Sequence, residues 1–243
     1  MTAPLRSRPA ASSPPGGGEF PPDAFLRRTL DALHLALTPR QLQQLLDYTA
    51  LLQRWNRVYN LTAVRDIEGI ARLHMADCLS AVPAIASAKP QRLLDVGSGG
   101  GLPGMILAIA MPEVAVHLVD TVQKKCAFLR QAAGSLGLHN VTVHHARVET
   151  LRDDQGFDCI TSRAFSDLPP LIGRSAHLLA PNGQWCAMKG QPPEDEIAAI
   201  PAGYTAQIQP LQVPGLDAQR CLVWIQAHRG AHIAPARATP PAQ

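Results

Sequence analysis

Residues 93–104 read Leu-Leu-Asp-Val-Gly-Ser-Gly-Gly-Gly-Leu-Pro-Gly, and this stretch decides the fold. An apolar strand ends at Asp95. Gly97, Gly99, Gly100 and Gly101 follow, and a second apolar run opens near Leu102 and continues through Met105, Ile106, Leu107 and Ile109. A turn this sharp needs glycine, because no Cβ can stand between the backbone and a ligand. Strand, glycine turn and helix in this order form the first crossing of a doubly wound sheet, where nucleotide-bearing ligands sit.

Working outward, strands are expected at 92–96, 114–119, 140–144, 157–161 and 184–188, with helices at 102–111, 122–136 and 167–180. Strands that alternate with helices imply right-handed crossovers and a parallel sheet. Two further strands, 204–211 and 220–227, follow one another across a Pro-Gly loop and are expected to pair antiparallel. Ahead of this region, Leu26, Leu30, Leu33 and Leu37 recur at helical spacing, and Thr38-Pro39 can cap and open the next helix. A shorter helix is expected from Asp66 to Ser80. The expected organisation is a disordered leader at 1–22, a helical cap at 23–85, a core at 86–228 and a flexible tail at 229–243. The leader and tail readings rest on their Pro, Gly and Ser content.

The 243 residues are 46% hydrophobic and 17% charged, enough for one globular domain with attachments. A net charge of +3 permits an anionic partner without demanding one. The cysteines Cys78, Cys126, Cys159, Cys186 and Cys221 form no C-x-x-C and have no histidine at zinc spacing, so buried free thiols in a reducing cytoplasm are expected, with no metal. The most apolar region, Leu102–Val119, is broken by Pro103, Gly104, Pro112 and Glu113, so no membrane span is expected.

Gly99-x-Gly101-x-x-Gly104 formally matches a dinucleotide fingerprint. Asp95 can organise the loop or approach a cationic amino group, and it argues against a pyrophosphate, which its carboxylate would repel; S-adenosylmethionine carries an ammonium and a sulfonium instead, and tolerates the acid. Pro103 stands where a dinucleotide enzyme needs close approach to the helix. Asp120, ending Val116-His117-Leu118-Val119-Asp120, can accept both ribose hydroxyls of either ligand or cap the next helix. Val148 and Glu149, after the third strand, stand where an adenine is usually flanked. The fourth strand ends Thr161-Ser162-Arg163-Ala164-Phe165, without the Asn/Asp-Pro-Pro-Tyr of exocyclic amino methylation or the Pro-Cys of attack at a pyrimidine carbon. Arg163 can position an anion or form a structural ion pair, and both readings stay open. An NAD(P)-dependent oxidoreductase and a non-enzymatic cofactor or RNA binder are the rivals.

Several motifs in order make the chain similar to one family. They are Arg54-Trp55-Asn56-Arg57-Val58-Tyr59-Asn60-Leu61-Thr62-Ala63-Val64-Arg65-Asp66, Asp95 to Gly104, Ser162-Arg163-Ala164-Phe165, and Lys189-Gly190-Gln191 with Pro193-Glu194-Asp195-Glu196. Over about 25–227 the sequence resembles the bacterial 16S ribosomal RNA guanine-N7 methyltransferases, the RsmG or GidB family. The resemblance implies an α/β fold, a Rossmann-like class I S-adenosylmethionine-dependent methyltransferase sheet with an N-terminal helical cap. It also implies one guanine of the decoding region as substrate, in 16S ribosomal RNA or the small ribosomal subunit. Carried over residue by residue, it implies cofactor contacts from Gly97, Leu102, Val148, Glu149 and Arg163. Asp95, Gly99 and Asp120 join them from the reading of the residues themselves.

Guanine N7 offers an in-plane lone pair and loses no proton on methylation, so orientation and desolvation suffice and no catalytic acid or base is singled out. His74, His144 and His145 are read as ordinary surface or core residues. Arg54, Arg57, Arg65 and Lys189 are the candidate RNA contacts, with Lys124 and Lys125 as weaker ones. Trp55 and Tyr59, four apart on one helical face, are read as core rather than as base-stacking groups. A cytoplasmic monomer without membrane contact is the expectation.

Overall fold

The computed structural model describes residues 20–228; the expected flexible tail at 229–243 and most of the expected leader lie outside the described residues. Strands β1 (Arg92–Val96), β2 (Ala115–Asp120), β3 (Val141–His145), β4 (Phe157–Arg163), β5 (Leu179–Lys189), β6 (Tyr204–Leu211) and β7 (Arg220–Ala227) form one sheet in the order β3-β2-β1-β4-β5-β7-β6. The neighbours from β3 to β5 pair parallel, while β7 is antiparallel to both β5 and β6. The order reverses between β1 and β4, so the crevice above their carboxyl ends is the natural ligand site. The inserted antiparallel β7 distinguishes this sheet from the all-parallel dehydrogenase arrangement.

The cap consists of α1 (Pro22–Ala32), α2 (Pro39–Tyr59), α3 (Ile67–Ile70), a π-helical turn (Ala71–Ala76) and α4 (Asp77–Ser87). Thr38 and Gln41 form the capping box of α2, and Pro39 opens it. Three expectations shift here. α1 begins inside the expected leader, and Phe20 lies 5.5 Å from Phe25, with the Arg72 guanidinium over both rings. The helix expected to end at Ser80 runs on to Ser87 through Pro83, because that face is buried by Val82, Ala84 and Ile85. The helix expected over 167–180 shortens to α7 (Leu168–Ser175) and a 3-10 turn, as the Ser175 hydroxyl donates to Leu171 O (2.7 Å) and accepts from Trp185 Nε1 (2.9 Å). Helices α5 (Gly104–Ala110) and α6 (Gln123–Leu136) follow β1 and β2, and α8 (Glu194–Ala198) follows β5.

One continuous apolar core joins the cap to one sheet face: Leu45, Tyr48 and Leu52 of α2 share it with Leu107, Leu118 and Leu129. A second core on the other face holds Phe157, Leu171 and Trp185. All five cysteines are buried free thiols. Trp55 packs 5.4 Å from the Phe128 ring, as its core reading requires, whereas Tyr59 is 40% exposed and faces solvent at the end of α2.

The fully buried Tyr48 hydroxyl donates to the carbonyl of Gly100, tying the cap to the glycine turn. Tyr48→Phe leaves that carbonyl without its partner and should cost about 1–2 kcal/mol of stability in urea unfolding. An unchanged midpoint would show that the cap does not hold the turn.

Candidate active site

The turn after β1 takes the left-handed conformation at Gly97 (φ 70°), Gly99 (φ 57°) and Gly101 (φ 82°). It is braced from below and from the side. Asp95 Oδ2 accepts from Gly104 N (3.0 Å), and the Ser98 hydroxyl donates to Asp95 O (2.8 Å). Asp120, at the end of β2, accepts from Gly99 N through Oδ2 (2.9 Å) and from Val122 N through Oδ1 (2.8 Å).

Two cavities meet at this turn. One, about 350 Å³, is walled by Val148, Ala146, Val122 and Asp120, with Glu149 and Arg174 at its rim. The other, about 610 Å³, runs from the glycines past Leu102, Arg163 and Met188 to the cap residues Thr62, His74 and Asp77. Gly97, Lys125 and Ala164 border both, so the two form one crevice along the carboxyl ends of the strands. Ala164 holds a left-handed backbone (φ 55°), an uncommon state for alanine. That bend follows Arg163 and precedes Phe165, whose ring a Cβ at Gly97 would strike.

The site residues read from the sequence divide accordingly. Gly97, Gly99, Leu102, Arg163 and Lys189 line the larger cavity; Gly97, Asp120, Val148 and Glu149 line the smaller. Asp95 lines neither. Its side chain is fully buried beneath the turn, so it organises the loop rather than touching a ligand. Asp120 does not cap α6, whose N-cap is Val122; it braces the turn before that helix. Arg163 is the ion-paired residue: Nη1 lies 2.9 Å from Asp77 Oδ2 and 3.2 Å from Leu73 O. Lys189 is likewise engaged, with Nζ 2.7 Å from Glu196 Oε2 and 3.2 Å from Ser166 O, so its ammonium is not free for a phosphate. Arg54, Arg57 and Arg65 stand on the exposed surface outside both cavities, Arg65 donating to Asn60 Oδ1 (2.9 Å).

Among the charged residues of the crevice, Asp77, Arg174 and Arg220 escaped the sequence reading. Asp77 pairs with residues 86 and 143 positions away, a relation that no local spacing carries. The π-helical turn beside it is a feature that recurs near functional residues. His74, read as ordinary, lies in the cavity wall with Nε2 2.6 Å from Thr62 Oγ1.

Burial dominates the ionisation of this region. Burial, reinforced by the Arg163 charge, lowers His74 to about 4 and keeps it neutral. Burial also raises the Asp95 carboxyl to about 7, partly offset by its hydrogen bond from Gly104. The consequences for stability are opposite. The His74 contribution is intact above its unfolded value near 6.5 and is lost as pH falls towards 4; the Asp95 contribution is intact below about 4 and is lost as pH rises through 7.

The crevice fits S-adenosylmethionine. A Cβ at Gly99 would meet nothing closer than Gly97 O at 3.8 Å, so the space above that glycine is open for a ligand. The Asp120 carboxylate has acceptor capacity left after its two backbone bonds. Val148 gives an apolar wall for a flat ring. Fold and site together define a class I S-adenosylmethionine-dependent methyltransferase. The fold is similar to that of a putative O-methyltransferase from Klebsiella pneumoniae (TM-score 0.54, 14% identity, covering 84% of this chain and 96% of that one). It is also similar to that of the 1,6-didemethyltoxoflavin-N1-methyltransferase of Burkholderia thailandensis (TM-score 0.51, 18% identity, 75% and 89% covered). At these identities the likeness is one of fold.

The sequence decides the family. The model of the GidB family, described as rRNA small subunit methyltransferase G, matches residues 41–223. The ribosomal RNA small subunit methyltransferase G of Acidovorax sp. (strain JS42) is 51% identical over 213 residues, 83% of this chain and 93% of that protein. Its namesake from Polaromonas naphthalenivorans is 48% identical over 209 residues, with 83% and 94% covered. The chain belongs to the rRNA small subunit methyltransferase G family.

Two glycine variants separate binding from folding. Gly99→Ala meets no neighbour and should cost only about 1–2 kcal/mol for its left-handed backbone while weakening S-adenosylmethionine binding in calorimetry. Gly101→Ala would place its Cβ 2.5 Å from Met105 and 2.7 Å from the Tyr48 hydroxyl and should destabilise the fold more. Equal stability losses would contradict this packing. In a pH series, Asp95→Asn should remove a stability term that declines up to pH 7, so the variant's unfolding midpoint rises more steeply than the wild type's between about pH 4 and 6.5. Parallel curves would contradict the burial of Asp95 as a strained carboxyl.

Proposed function

We propose that the protein transfers the methyl group of S-adenosylmethionine to N7 of one guanine in the decoding region of 16S ribosomal RNA, acting as a cytoplasmic monomer on the RNA or on the small subunit. The observation that carries this reading is the pair of cavities that meet at one glycine turn. One has the size and lining for adenosine, and the other is open to the cap for an acceptor base.

The residues divide the work. In this reading Asp120 takes the ribose hydroxyls and Val148 presses on the adenine, which is supported by both residues lining the smaller cavity. Gly99 lets the methionine portion cross the turn without a side chain in its path, while the missing side chain of Gly97 makes room for the Phe165 ring. When bound, the cofactor supplies an electrophilic methyl on a positively charged sulfur. Guanine N7 would take up that methyl as the sulfur–carbon bond breaks with its electron pair returning to sulfur. No proton leaves N7, so the protein needs to align the reactants and exclude water. Leu102, Met188 and Leu61 give the acceptor cavity apolar walls suited to that exclusion. His74, already neutral, is hydrogen-bonded into the wall and is not required as a base.

RNA meets the cap face. Arg54, Arg57 and Arg65 are exposed, and none pairs with an acid among the described residues. Lys124 stands 5.9 Å from the centre of the exposed Tyr59 ring and extends the same surface. Free cations of this kind suit phosphate contacts that position RNA without reading its bases. Lys189 instead ties the end of β5 to α8 through Glu196. A guanine held in a folded RNA must be splayed out of its stack to enter the acceptor cavity.

The decisive test incubates the pure protein with labelled S-adenosylmethionine and small subunits lacking this modification, then identifies the modified nucleoside by mass spectrometry. Appearance of 7-methylguanosine at one position is expected; another methylated nucleoside would overturn the assigned atom. In the same assay His74→Gln should retain kcat within about tenfold, whereas loss of a general base costs about 10²–10⁴-fold.

A further inference from the structure

The far end of the acceptor cavity holds an imbalance of charge. Asp77, 3% exposed, is one carboxylate serving two guanidinium groups: Oδ2 faces Arg163 Nη1 and Oδ1 faces Arg220 Nε, each at 2.9 Å. The other cations of the cavity wall have anions of their own. Lys189 lies 2.7 Å from Glu196, and Lys125 lies 3.9 Å from Asp120. One positive charge around Asp77 is therefore left over, in a place only partly open to water. A sheltered charge is costly unless an anion completes it.

We propose that Arg220 holds a backbone phosphate of the RNA strand beside the splayed guanine, with Asp77 as the residue that orients it. This assignment rests on the methyltransferase reading above. Arg163 is already spent: besides Asp77 it reaches Leu73 O at 3.2 Å and stands 3.2 Å from His74 Nδ1. Arg220 uses Nε on Asp77 and Nη1 on Gln219 O (2.7 Å), while its Nη2 makes no hydrogen bond among the described residues. Because Asp77 grips the Nε side, the outer edge of the guanidinium is the part available to a ligand. A planar fork of donors suits a phosphate better than a lysine would.

Two anions enter this crevice, the carboxylate of S-adenosylmethionine and the phosphates of RNA. The sheet order separates them. The methionine portion crosses the glycine turn that follows β1, whereas Arg220, at the far end of the same cavity, opens β7, three strands from β1 through β4 and β5. At strand spacing that is roughly 14 Å across the sheet, on the acceptor side. The phosphate is thus the better placed of the two.

The test compares wild type, Arg220→Gln and Arg220→Lys. Binding to small subunits lacking the modification is measured across a salt series with S-adenosylhomocysteine present, and S-adenosylhomocysteine affinity is measured separately by calorimetry. Arg220→Gln should weaken subunit binding roughly tenfold at low salt and flatten the slope of log affinity against log salt by about 0.7–0.9, the contribution of one phosphate contact. Arg220→Lys keeps the charge, and with it most of the slope, and serves if the Gln variant does not fold. S-adenosylhomocysteine affinity should stay within about twofold in both. Unchanged subunit affinity and slope in a folded Gln variant would overturn the proposal. So would a loss of S-adenosylhomocysteine affinity, which would hand the cation to the cofactor carboxylate. Because the readout is binding, it stands apart from the identity of the methylated nucleoside, on which the parent reading is judged.

Discussion

The Gly97–Gly101 turn is held by side chains that arrive from three separate elements, and the site exists only because they converge. Asp120 reaches it from β2, Asp95 anchors the start of α5 from beneath, and the Tyr48 hydroxyl closes on it from the cap. Each bond satisfies a backbone group that the sharp turn leaves without a helical or ladder partner. A loop of glycines has little stiffness of its own, so its shape must be imposed from outside. The cap is therefore part of the candidate cofactor site, although none of the three bracing atoms belongs to a catalytic group.

The same economy governs the acceptor side. Asp77, buried at the start of α4, draws in Arg163 from the end of β4 and Arg220 from the start of β7. A buried ion pair of this kind is weak evidence for net stability, because desolvation offsets much of the attraction. What it supplies is placement: two strand ends and one cap helix are fixed around one cavity wall. Neutral His74 and its bond to Thr62 continue that wall without adding charge.

Much of this was legible in the sequence, and the pattern of success has a physical basis. The glycine turn, the alternation of strands and helices and the antiparallel pair at 204–227 are local signals, and the structure carries all of them. The acids that end β1 and β2 were equally visible, and organising the loop was one of the two roles open to Asp95, but the loop-bracing role of Asp120 was not. Asp95 and Asp120 both brace the loop, and only Asp120 also lines a cavity. Whether a carboxylate at a strand end points into a crevice or beneath it depends on the side chains packed around it, which one strand does not encode. Arg163 and Lys189 were found by position, yet their partners, Asp77 and Glu196, come from other elements. Arg220 was missed for the same reason, since it begins a late strand and acquires meaning only when the sheet inserts β7 beside β5.

The most direct test of the central claim is a crystal structure with S-adenosylhomocysteine bound. The account predicts the adenine against Val148, the ribose hydroxyls on the Asp120 carboxylate, and the sulfur above Gly97 and Gly99, facing the cavity that ends at Asp77. A ligand seated elsewhere, with Asp120 still bound to Gly99 and Val122 alone, would contradict it.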